Sequence, residues 1–276
     1  GDRKADSLTA QDVERLKARL SEATARGRET KRTAASVNRF LQDLRAAYTL
    51  ARRNRKAERN PVADVRLLRE NNTRIRELTA EEEARLFAAL DPTKRRGGTD
   101  LRPMVRLLLE IGLRLEEACS LRWADVDWTA GFATLPETKA GERQHVPLNA
   151  EALAVLRLLA RKAQASALGP GDLSACDLSA VSAQAGAQAG GYTFHWPAGR
   201  PWTPEYVTHA LGKTIRRAGI ADLRPHDLRH TFACRRLRAG VDLYTVSKLL
   251  RHASTRMSER YLHLTRGDLK AAAERS

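Results

Sequence analysis

Apolar residues recur at helical spacing along most of this chain. A first helix is predicted to begin after Thr9, whose side chain can cap it, and its apolar positions share one face: Val13, Leu16 and Leu20. A second helix is predicted to begin near Thr33 and to carry a longer apolar stripe: Val37, Phe40, Leu41, Leu44, Ala47, Tyr48 and Ala51. Asn60 and Pro61 are predicted to end it, because a residue that precedes proline avoids the helical region.

Helical periodicity lapses after about residue 66 and returns at Thr79, which forms a predicted capping box with Glu82. Further helices are predicted downstream: 80–90, 101–111, 115–122, 150–163, one from Pro204, one from Pro225 to Arg238, and 242–252 with a continuation from 254. Two short strands, 132–135 and 145–148, flank a turn at 139–142 and predict a hairpin. The pattern predicts a mainly α chain with a small β-hairpin or sheet, an α+β fold.

Two domains are predicted from these boundaries: a helical domain over residues 1–70, a linker over 71–77 and a larger domain over 78–276. Residues 165–191 interrupt the larger domain with a stretch rich in Ala, Ser, Gly and Gln that contains no Lys or Arg. In so basic a chain, that composition argues against contact with a polyanion and predicts a flexible, low-complexity surface insertion.

The net charge of +16 over 276 residues indicates a polyanionic partner, and nucleic acid fits better than a membrane surface. No run of 18 apolar residues is present, so no membrane-spanning helix is expected. The charged N-terminal stretch lacks the apolar core of a signal peptide, so secretion is not expected and a cytoplasmic protein is predicted. A DNA partner would make it nucleoid-associated. Cys119, Cys176 and Cys234 are odd in number and far apart, so reduced thiols are expected rather than disulfides or a zinc site.

Positive charge is densest in the first part of the chain. Residues 1–77 carry 20 Lys and Arg against 11 Asp and Glu, whereas residues 78–276 carry 29 against 22. Neutralising DNA phosphates releases condensed counterions, so such a surface favours DNA binding, although a solvated helical surface can also be basic. The candidate phosphate contacts in this segment are Lys31, Arg32, Arg39, Arg52 and Arg53.

The stretch Pro225-His226-Asp227-Leu228-Arg229 places His226 and Arg229 three residues apart at a helix N-terminus, where they can address one ligand. A phosphate suits that position, because the helix dipole favours an anion and a guanidinium grips two phosphate oxygens. A surface arginine beside a capping histidine is the alternative that this motif alone leaves open.

Three other side chains are candidates for the same phosphate chemistry. Arg114 begins a predicted helix in which Glu117 can hold it, although an exposed ion pair is the commoner explanation of such a pair. Lys139 in the hairpin turn is either a solvated lysine or a general acid for a leaving oxygen. Tyr261, nine residues after His252, is either a buried tyrosine or a nucleophile, and a phenol with a pKa of about 10 needs activation for that role.

Metal and nucleotide chemistry find little support in the sequence. His226 with His230, and His252 with His263, are not accompanied by a carboxylate cluster, so no metal is expected. Neither a GxSxG nor a GxxxxGK[ST] motif occurs. We therefore expect no cofactor and no small-molecule substrate.

Taken together, the order Arg, Lys, His-x-x-Arg, His, Tyr resembles that of the tyrosine recombinases, the phage-integrase family. The local contexts match as well: Gly-Leu-Arg-x-x-Glu at 112–117, Thr-Lys at 138–139, His-Asp-Leu-Arg-His-Thr at 226–231 and Glu-Arg-Tyr at 259–261. The resemblance covers residues 78–265 and extends more loosely over 9–70, which are similar to the family's helical core-binding domain.

The resemblance implies a metal-independent, site-specific DNA recombinase whose catalytic residues are Arg114, Lys139, His226, Arg229, His252 and Tyr261. Tyr261 would attack the scissile phosphate to give a 3′-phosphotyrosyl bond, and Lys139 would protonate the departing 5′-oxygen. The two arginines would neutralise the phosphate, His226 would assist proton transfer at the tyrosine, and His252 would hydrogen-bond the phosphate. Glu117 would position Arg114. Family members act on double-stranded DNA as homotetramers that join two sites.

Two departures from the family pattern stand out. Arg251 occupies the position before His252 where the family usually has glycine. If that position needs a positive φ, arginine costs about 1 kcal/mol or more there; an added DNA contact is its other interpretation. The chain also begins partway into a typical core-binding domain, so that domain is expected to be incomplete at its N-terminus.

Two other functions stay open at this stage: a DNA-binding regulator of the same fold that does not cut, and a relaxing enzyme similar to type IB topoisomerases. The complete set of catalytic residue types favours the recombinase. The insertion at 165–191 favours a mobile-element integrase over a chromosome-dimer resolvase.

Overall fold

A computed structural model describes residues 7–24, 31–70, 74–92, 99–135, 143–168, 191–197, 199–252, 254 and 257–264; for 164–168, 263 and 264 it describes the backbone alone. The chain divides into two compact units, Gly1–Arg74 and Ile75–Ser276. Each unit has its own apolar core.

The first unit contains helices α1 (Ala10–Glu22) and α2 (Ala34–Arg53). Both predicted starts are confirmed: the Thr9 and Thr33 hydroxyls accept hydrogen bonds from backbone N–H groups three residues further on. The core between the helices and the segment after them consists of Val13, Val37, Leu41, Tyr48, Val62 and Val65. Phe40, placed in the apolar stripe by its spacing, is exposed.

The predicted end of α2 was wrong. The helix stops at Arg53 rather than at Asn60-Pro61, because Arg55 adopts a left-handed conformation with φ of 56°. A left-handed residue just past the last turn closes a helix. The Asn60 amide instead donates to the Arg45 carbonyl at 3.0 Å and so folds the following loop back onto α2.

The second unit is built mainly from helices around a buried α4. Its elements are α3 (Ala80–Leu90), α4 (Arg102–Ile111), α5 (Leu115–Ser120), a 3₁₀ helix (Trp123–Asp125), β1 (Val126–Asp127), β2 (Phe132–Leu135), β3 (Gln144–Pro147), α6 (Ala150–Leu168), α7 (Pro204–Arg217), α8 (Pro225–Arg238), α9 (Leu243–Leu249) and a 3₁₀ helix (Glu259–Leu264). Helix α4 packs against α6 and α8, and most of its side chains are buried.

The three strands form an antiparallel sheet in the order β1-β2-β3, with Ala133 opposite Val146 and Thr134 opposite His145. The predicted mainly α fold with a small sheet is therefore confirmed. The sequence missed β1, which is two residues long and too short to show alternation. Residues 136–142, including the predicted turn, lie outside the described residues, as do 169–190 of the predicted insertion.

Several helix boundaries also differ from the predictions. Helix α6 runs to Leu168 rather than to 163, so residues 165–168 of the predicted insertion are helical. Helix α5 ends at Ser120 rather than at 122, and α9 spans Leu243–Leu249 rather than 242–252. The segment predicted to continue as an α-helix from 254 instead forms the 3₁₀ helix Glu259–Leu264. Among the described residues, no helix is both long and apolar enough to cross a membrane.

Gly112 determines where α4 ends and therefore where Arg114 lies. Its φ is +60°, and a Cβ built on it would lie 2.4 Å from the Phe232 ring of α8. Glycine alone combines that backbone conformation with that close approach. The contact brings the start of α5 against α8, the helix that carries His226 and Arg229.

Candidate active site

Helix α8 buries an unusual number of polar side chains near its N-terminus: Asp227, Arg229, His230 and Thr231. Pro225 occupies its first turn, and the Asp227 carboxylate accepts a hydrogen bond of 2.8 Å from the Arg224 N–H, so the first turn is fixed. Buried polar side chains require partners. Asp227 finds a partner at the start of the same helix, whereas Arg229, His230 and Thr231 also contact other segments of the second unit.

Arg229 is 3% exposed and joins two of those segments. Its Nη1 donates to the Gly112 carbonyl at 2.5 Å, and its Nη2 donates to the Leu250 carbonyl. Burial, and then the nearby Arg114 and Arg251, lower its pKa to about 9, so it keeps its charge at neutral pH. The guanidinium is thus fixed between the end of α4 and the end of α9.

Arg114 precedes the first residue of α5 and is held by Glu117. The Glu117 carboxylate accepts the Arg114 backbone N–H at 2.7 Å with one oxygen and Nη1 at 2.7 Å with the other. Nη2 of Arg114 donates to the Arg251 carbonyl at 3.2 Å. The side chain remains about one third exposed. Arg114 therefore presents a partly open cation beside the buried Arg229.

Glu117 is the shared anion of this cluster. Besides Arg114, it lies 2.5 Å from Nη2 of Arg251 and 4.0 Å from Nη1 of Arg229. Burial by itself would raise the pKa of Glu117, but the Arg251 guanidinium and the hydrogen bonds from Arg114 and Arg251 outweigh it and lower the pKa. One carboxylate thus stays ionised among three guanidinium groups.

Arg251 does adopt a positive φ, 53°, directly after α9. Its side chain turns inward: Nη1 donates to the Leu249 carbonyl at 2.7 Å, while Nη2 pairs with Glu117. The guanidinium is 4% exposed, and its buried Nε has no hydrogen-bond partner among the described residues. A contact between this side chain and DNA would require the pair with Glu117 to open.

The two remaining histidines of the predicted set differ in their surroundings. The His226 side chain is exposed to solvent. Neighbouring protein atoms nevertheless displace part of the water around its ring, and this desolvation, followed by the charge of Arg229, lowers the pKa of His226. His252 is half-buried, and its Nδ1 lies 2.7 Å from the Ser258 hydroxyl. Burial, followed by Arg229 and Arg114, lowers the pKa of His252 to about 4, so the ring is neutral at pH 7.

Tyr261 in the Glu259–Leu264 helix is 1% exposed, and its hydroxyl lies 2.5 Å from Nδ1 of His230. Burial raises the pKa of Tyr261 to about 12. From the sequence, the one role weighed for His230 is metal binding together with His226, and no role at the tyrosine is predicted. Its position one residue after Arg229, on the helix face of His226, is the signal that could have indicated it.

The structure therefore places five of the six predicted catalytic residues in one region of the second unit: Arg114, His226, Arg229, His252 and Tyr261. The positive charges of Arg114, Arg229 and Arg260 each lower the pKa of both His226 and His252, so these groups lie close enough to interact. Lys139, the sixth, lies outside the described residues. Within the part of the chain that the structure describes, no group of three His, Cys, Asp or Glu side chains is arranged to hold a metal ion.

The predicted phosphate contacts of the first unit lie mainly on its surface. Lys31, Arg39, Arg52 and Arg53 are exposed, and Arg32 is half-buried. Arg39 is paired loosely with Asp43 at 3.6 Å, one helical turn away, whereas the Arg52 Nε donates to a loop carbonyl. Exposed pairs of this kind open readily in water.

Comparison with known proteins matches residues 76–267 to the phage integrase family. The chain is 29% identical to tyrosine recombinase XerA of Pyrococcus furiosus over 98% of this chain and 82% of XerA. It is also 29% identical to tyrosine recombinase XerC of Bacillus pumilus, over 91% of this chain and 76% of XerC.

Solved structures share the fold. An integrase of the Tn1549 transposon, in complex with a circular-intermediate DNA, superposes with a TM-score of 0.72 at 20% identity, covering 100% of this chain and 88% of that one. A lambda integrase dimer bound to a core site gives 0.65 at 18% identity, covering 95% and 82%.

Proposed function

The chain belongs to the phage integrase family and is a tyrosine recombinase that acts on DNA, and we propose that Tyr261 is its nucleophile. One observation carries the proposal. Arg229 of α8 donates to backbone carbonyls after α4 and after α9 and lies 4.0 Å from Glu117 of α5, and the next residue, His230, contacts Tyr261 of the Glu259–Leu264 helix. Such convergence matches the needs of phosphoryl transfer, which depends mainly on positioning and on charge.

In the proposed reaction, Arg114 and Arg229 bind the non-bridging oxygens of the scissile phosphate. Because Arg229 is 3% exposed, the groups that cover it must move aside before the phosphate reaches it. Two carbonyls then hold its guanidinium in place, so it requires little reorganisation as charge develops on the phosphate. Arg114 is the more open of the two and completes the clamp. Removing such a preorganised donor commonly costs on the order of 3 kcal/mol in transition-state stabilisation.

Tyr261 attacks phosphorus and forms a 3′-phosphotyrosyl bond, while Lys139 donates a proton to the departing 5′-oxygen. Lys139 belongs to the segment between β2 and β3, which the sequence identifies as a turn. His252, with Ser258 on its Nδ1, presents its other ring nitrogen for a hydrogen bond to the phosphate. The covalent bond conserves the energy of the phosphodiester, so a free 5′-hydroxyl of a second duplex can reverse the step.

That second duplex is supplied by a second DNA site, which we propose is held in a homotetramer of this chain. A lambda integrase tetramer on a Holliday junction has the same fold, with a TM-score of 0.62 at 18% identity. The basic surface of the first unit would bind the backbone of the duplex. We further propose that the protein acts in the cytoplasm, on the nucleoid or on a mobile element.

The decisive experiment is covalent capture. The protein is mixed with fragmented DNA from its source and denatured in detergent, and the DNA that remains attached is sequenced, with Tyr261→Phe in parallel. We expect recovered fragments to share one sequence and to be lost in Y261F. Attachment that persists in Y261F would show that another residue is the nucleophile and would contradict the proposal. Reversible binding without attachment would also contradict it and would favour a regulator that does not cut.

Two duplexes that carry the recovered sequence separate the recombinase from a relaxing enzyme. A recombinase exchanges strands between them and gives recombinant products of defined length. A type IB relaxing enzyme would remove supercoils from a plasmid carrying one site and would give no recombinants.

A further inference from the structure

The hydrogen bond between Tyr261 and His230 carries an inference that rests on the proposed function. Nδ1 of His230 lies 2.5 Å from the Tyr261 hydroxyl, and both side chains are buried, at 7% and 1% exposure. The hydroxyl is the atom that would attack the phosphate. The residue that contacts it directly is therefore placed to handle its proton.

We propose that His230 is the catalytic residue that accepts the proton of Tyr261 when the tyrosine attacks DNA. As the bond from Oη to phosphorus forms, the bond from phosphorus to the 5′-oxygen breaks, and the phenolic proton moves to Nδ1 of His230. The departing 5′-oxygen takes its proton from Lys139, the proposed general acid. In the rejoining step His230 returns the proton to Tyr261, so the enzyme ends as it began.

The geometry favours His230 over His226 for this role. The rings of the two histidines lie edge to face with centroids 4.9 Å apart, on one face of α8. His230 is the buried member and has the tyrosine at hydrogen-bond distance, whereas His226 is exposed at the start of the helix. His226 is thus better placed to meet a phosphate that approaches from outside.

The local charge explains why the transfer accompanies the attack rather than preceding it. Burial, followed by His226, Arg260 and Arg229, lowers the pKa of His230 to about 4, so its ring is neutral at pH 7. In the tautomer that carries its proton on Nε2, the free Nδ1 can accept a proton from Tyr261. Burial raises the pKa of Tyr261 to about 12, which opposes transfer in the free enzyme. A bound phosphate adds negative charge beside these cations and stabilises an imidazolium. Proton transfer is thereby coupled to the presence of DNA.

The test uses His230→Asn, which keeps a polar group near the position of Nδ1 but cannot take the proton. Single-turnover cleavage of a duplex carrying the recovered site is measured for wild type, H230N and His226→Asn. We expect H230N to slow cleavage by about 100-fold or more, the range for loss of a general base. DNA affinity and thermal unfolding are measured alongside, and His230→Gln provides a second variant if H230N does not fold.

A second substrate separates loss of the base from loss of the acid. In it the 5′-bridging oxygen is replaced by sulfur, so the leaving group departs as a thiolate and needs little protonation. This substrate should restore cleavage by Lys139→Ala, because a thiolate leaving group no longer needs the proton that Lys139 supplies. H230N should stay slow, because it lacks the group that takes the proton from the attacking tyrosine.

Three results for H230N would overturn the inference. They are cleavage within about threefold of the wild-type rate, cleavage faster than wild type, and cleavage that the sulfur substrate restores. A large defect in H226N beside normal cleavage by H230N would also overturn it. A wild-type protein that forms no covalent adduct at all would instead refute the proposed function, and the two failures are thereby distinguished.

Discussion

Glu117→Gln is the substitution that tests the charge arrangement of this site most directly. Glu117 faces three guanidinium groups: Arg114 at 2.7 Å, Arg251 at 2.5 Å and Arg229 at 4.0 Å. Glutamine keeps the size of the side chain and removes its charge. The variant leaves Arg229 and Arg251, each with a side chain 4% exposed, without the anion that offsets their burial.

The magnitude follows from how deeply each partner is buried. Breaking a buried ion pair by removing one partner costs about 3–5 kcal/mol, because the other charge stays buried without compensation. Arg114 is one third exposed and contributes less, since water screens it. Two backbone carbonyls also remain as acceptors for Arg229. We therefore expect the free energy of unfolding of the second unit to fall by about 3 kcal/mol.

Tryptophan fluorescence during urea unfolding measures this change in the right part of the chain. All four tryptophans, Trp123, Trp128, Trp196 and Trp202, belong to the second unit. The matched control is Glu116→Gln, one residue away, which removes the same charge from an exposed position. A loss below about 1 kcal/mol in E117Q, or an equal loss in the control, would refute the assignment of Glu117 as the shared anion.

Acidification gives an independent check. The pKa of Glu117 is lower in the folded than in the unfolded protein, so its stabilising contribution is fully present above the unfolded value of about 4.3. That contribution is lost as the pH falls through the folded pKa. The difference between wild type and E117Q should therefore shrink in acid, and a difference that does not depend on pH would contradict the reasoning.

Three further outcomes are expected. Arg229→Lys should slow single-turnover cleavage by about 100-fold or more, because an ammonium cannot reproduce the guanidinium fork, and a rate near wild type would contradict this. Arg251→Gly should be more stable than Arg251→Ala by about 0.5–1 kcal/mol in the urea assay. Both variants lose the ion pair with Glu117, but glycine alone adopts the positive φ of this position without steric strain. Equal stabilities would argue against strain at this position. Gly112→Ala should lose about 3 kcal/mol through its clash with Phe232, whereas Gly240→Ala, also at positive φ but with nothing within 4 Å, should lose about 1 kcal/mol; equal losses would show that the clash is relieved elsewhere.

Local signals predicted much of the fold. Thr9, Thr33 and Thr79 begin helices because a hydroxyl caps backbone N–H groups within the next turn, an interaction that needs no distant partner. Predictions were wrong where a backbone conformation outweighed the local signal. Arg55 closes α2 in the left-handed region, although the sequence before Pro61 suggested a longer helix. The two-residue strand β1 exists because β2 lies beside it and pairs with it. The spacing of apolar residues along one segment does not show which other segment will pair with it.

The sequence by itself determined the order and kind of the functional residues, because the resemblance depends on short motifs whose spacing along the chain is fixed. Tertiary structure decided which of those residues meet. Arg251, considered as a DNA contact, pairs inward with Glu117, which is 134 residues away along the chain. Tyr261 has His230 rather than His226 as its neighbour, because the Glu259–Leu264 helix packs on one side of α8. Such contacts follow from how distant helices pack, and a charge or a hydroxyl has no preferred partner until that packing is formed.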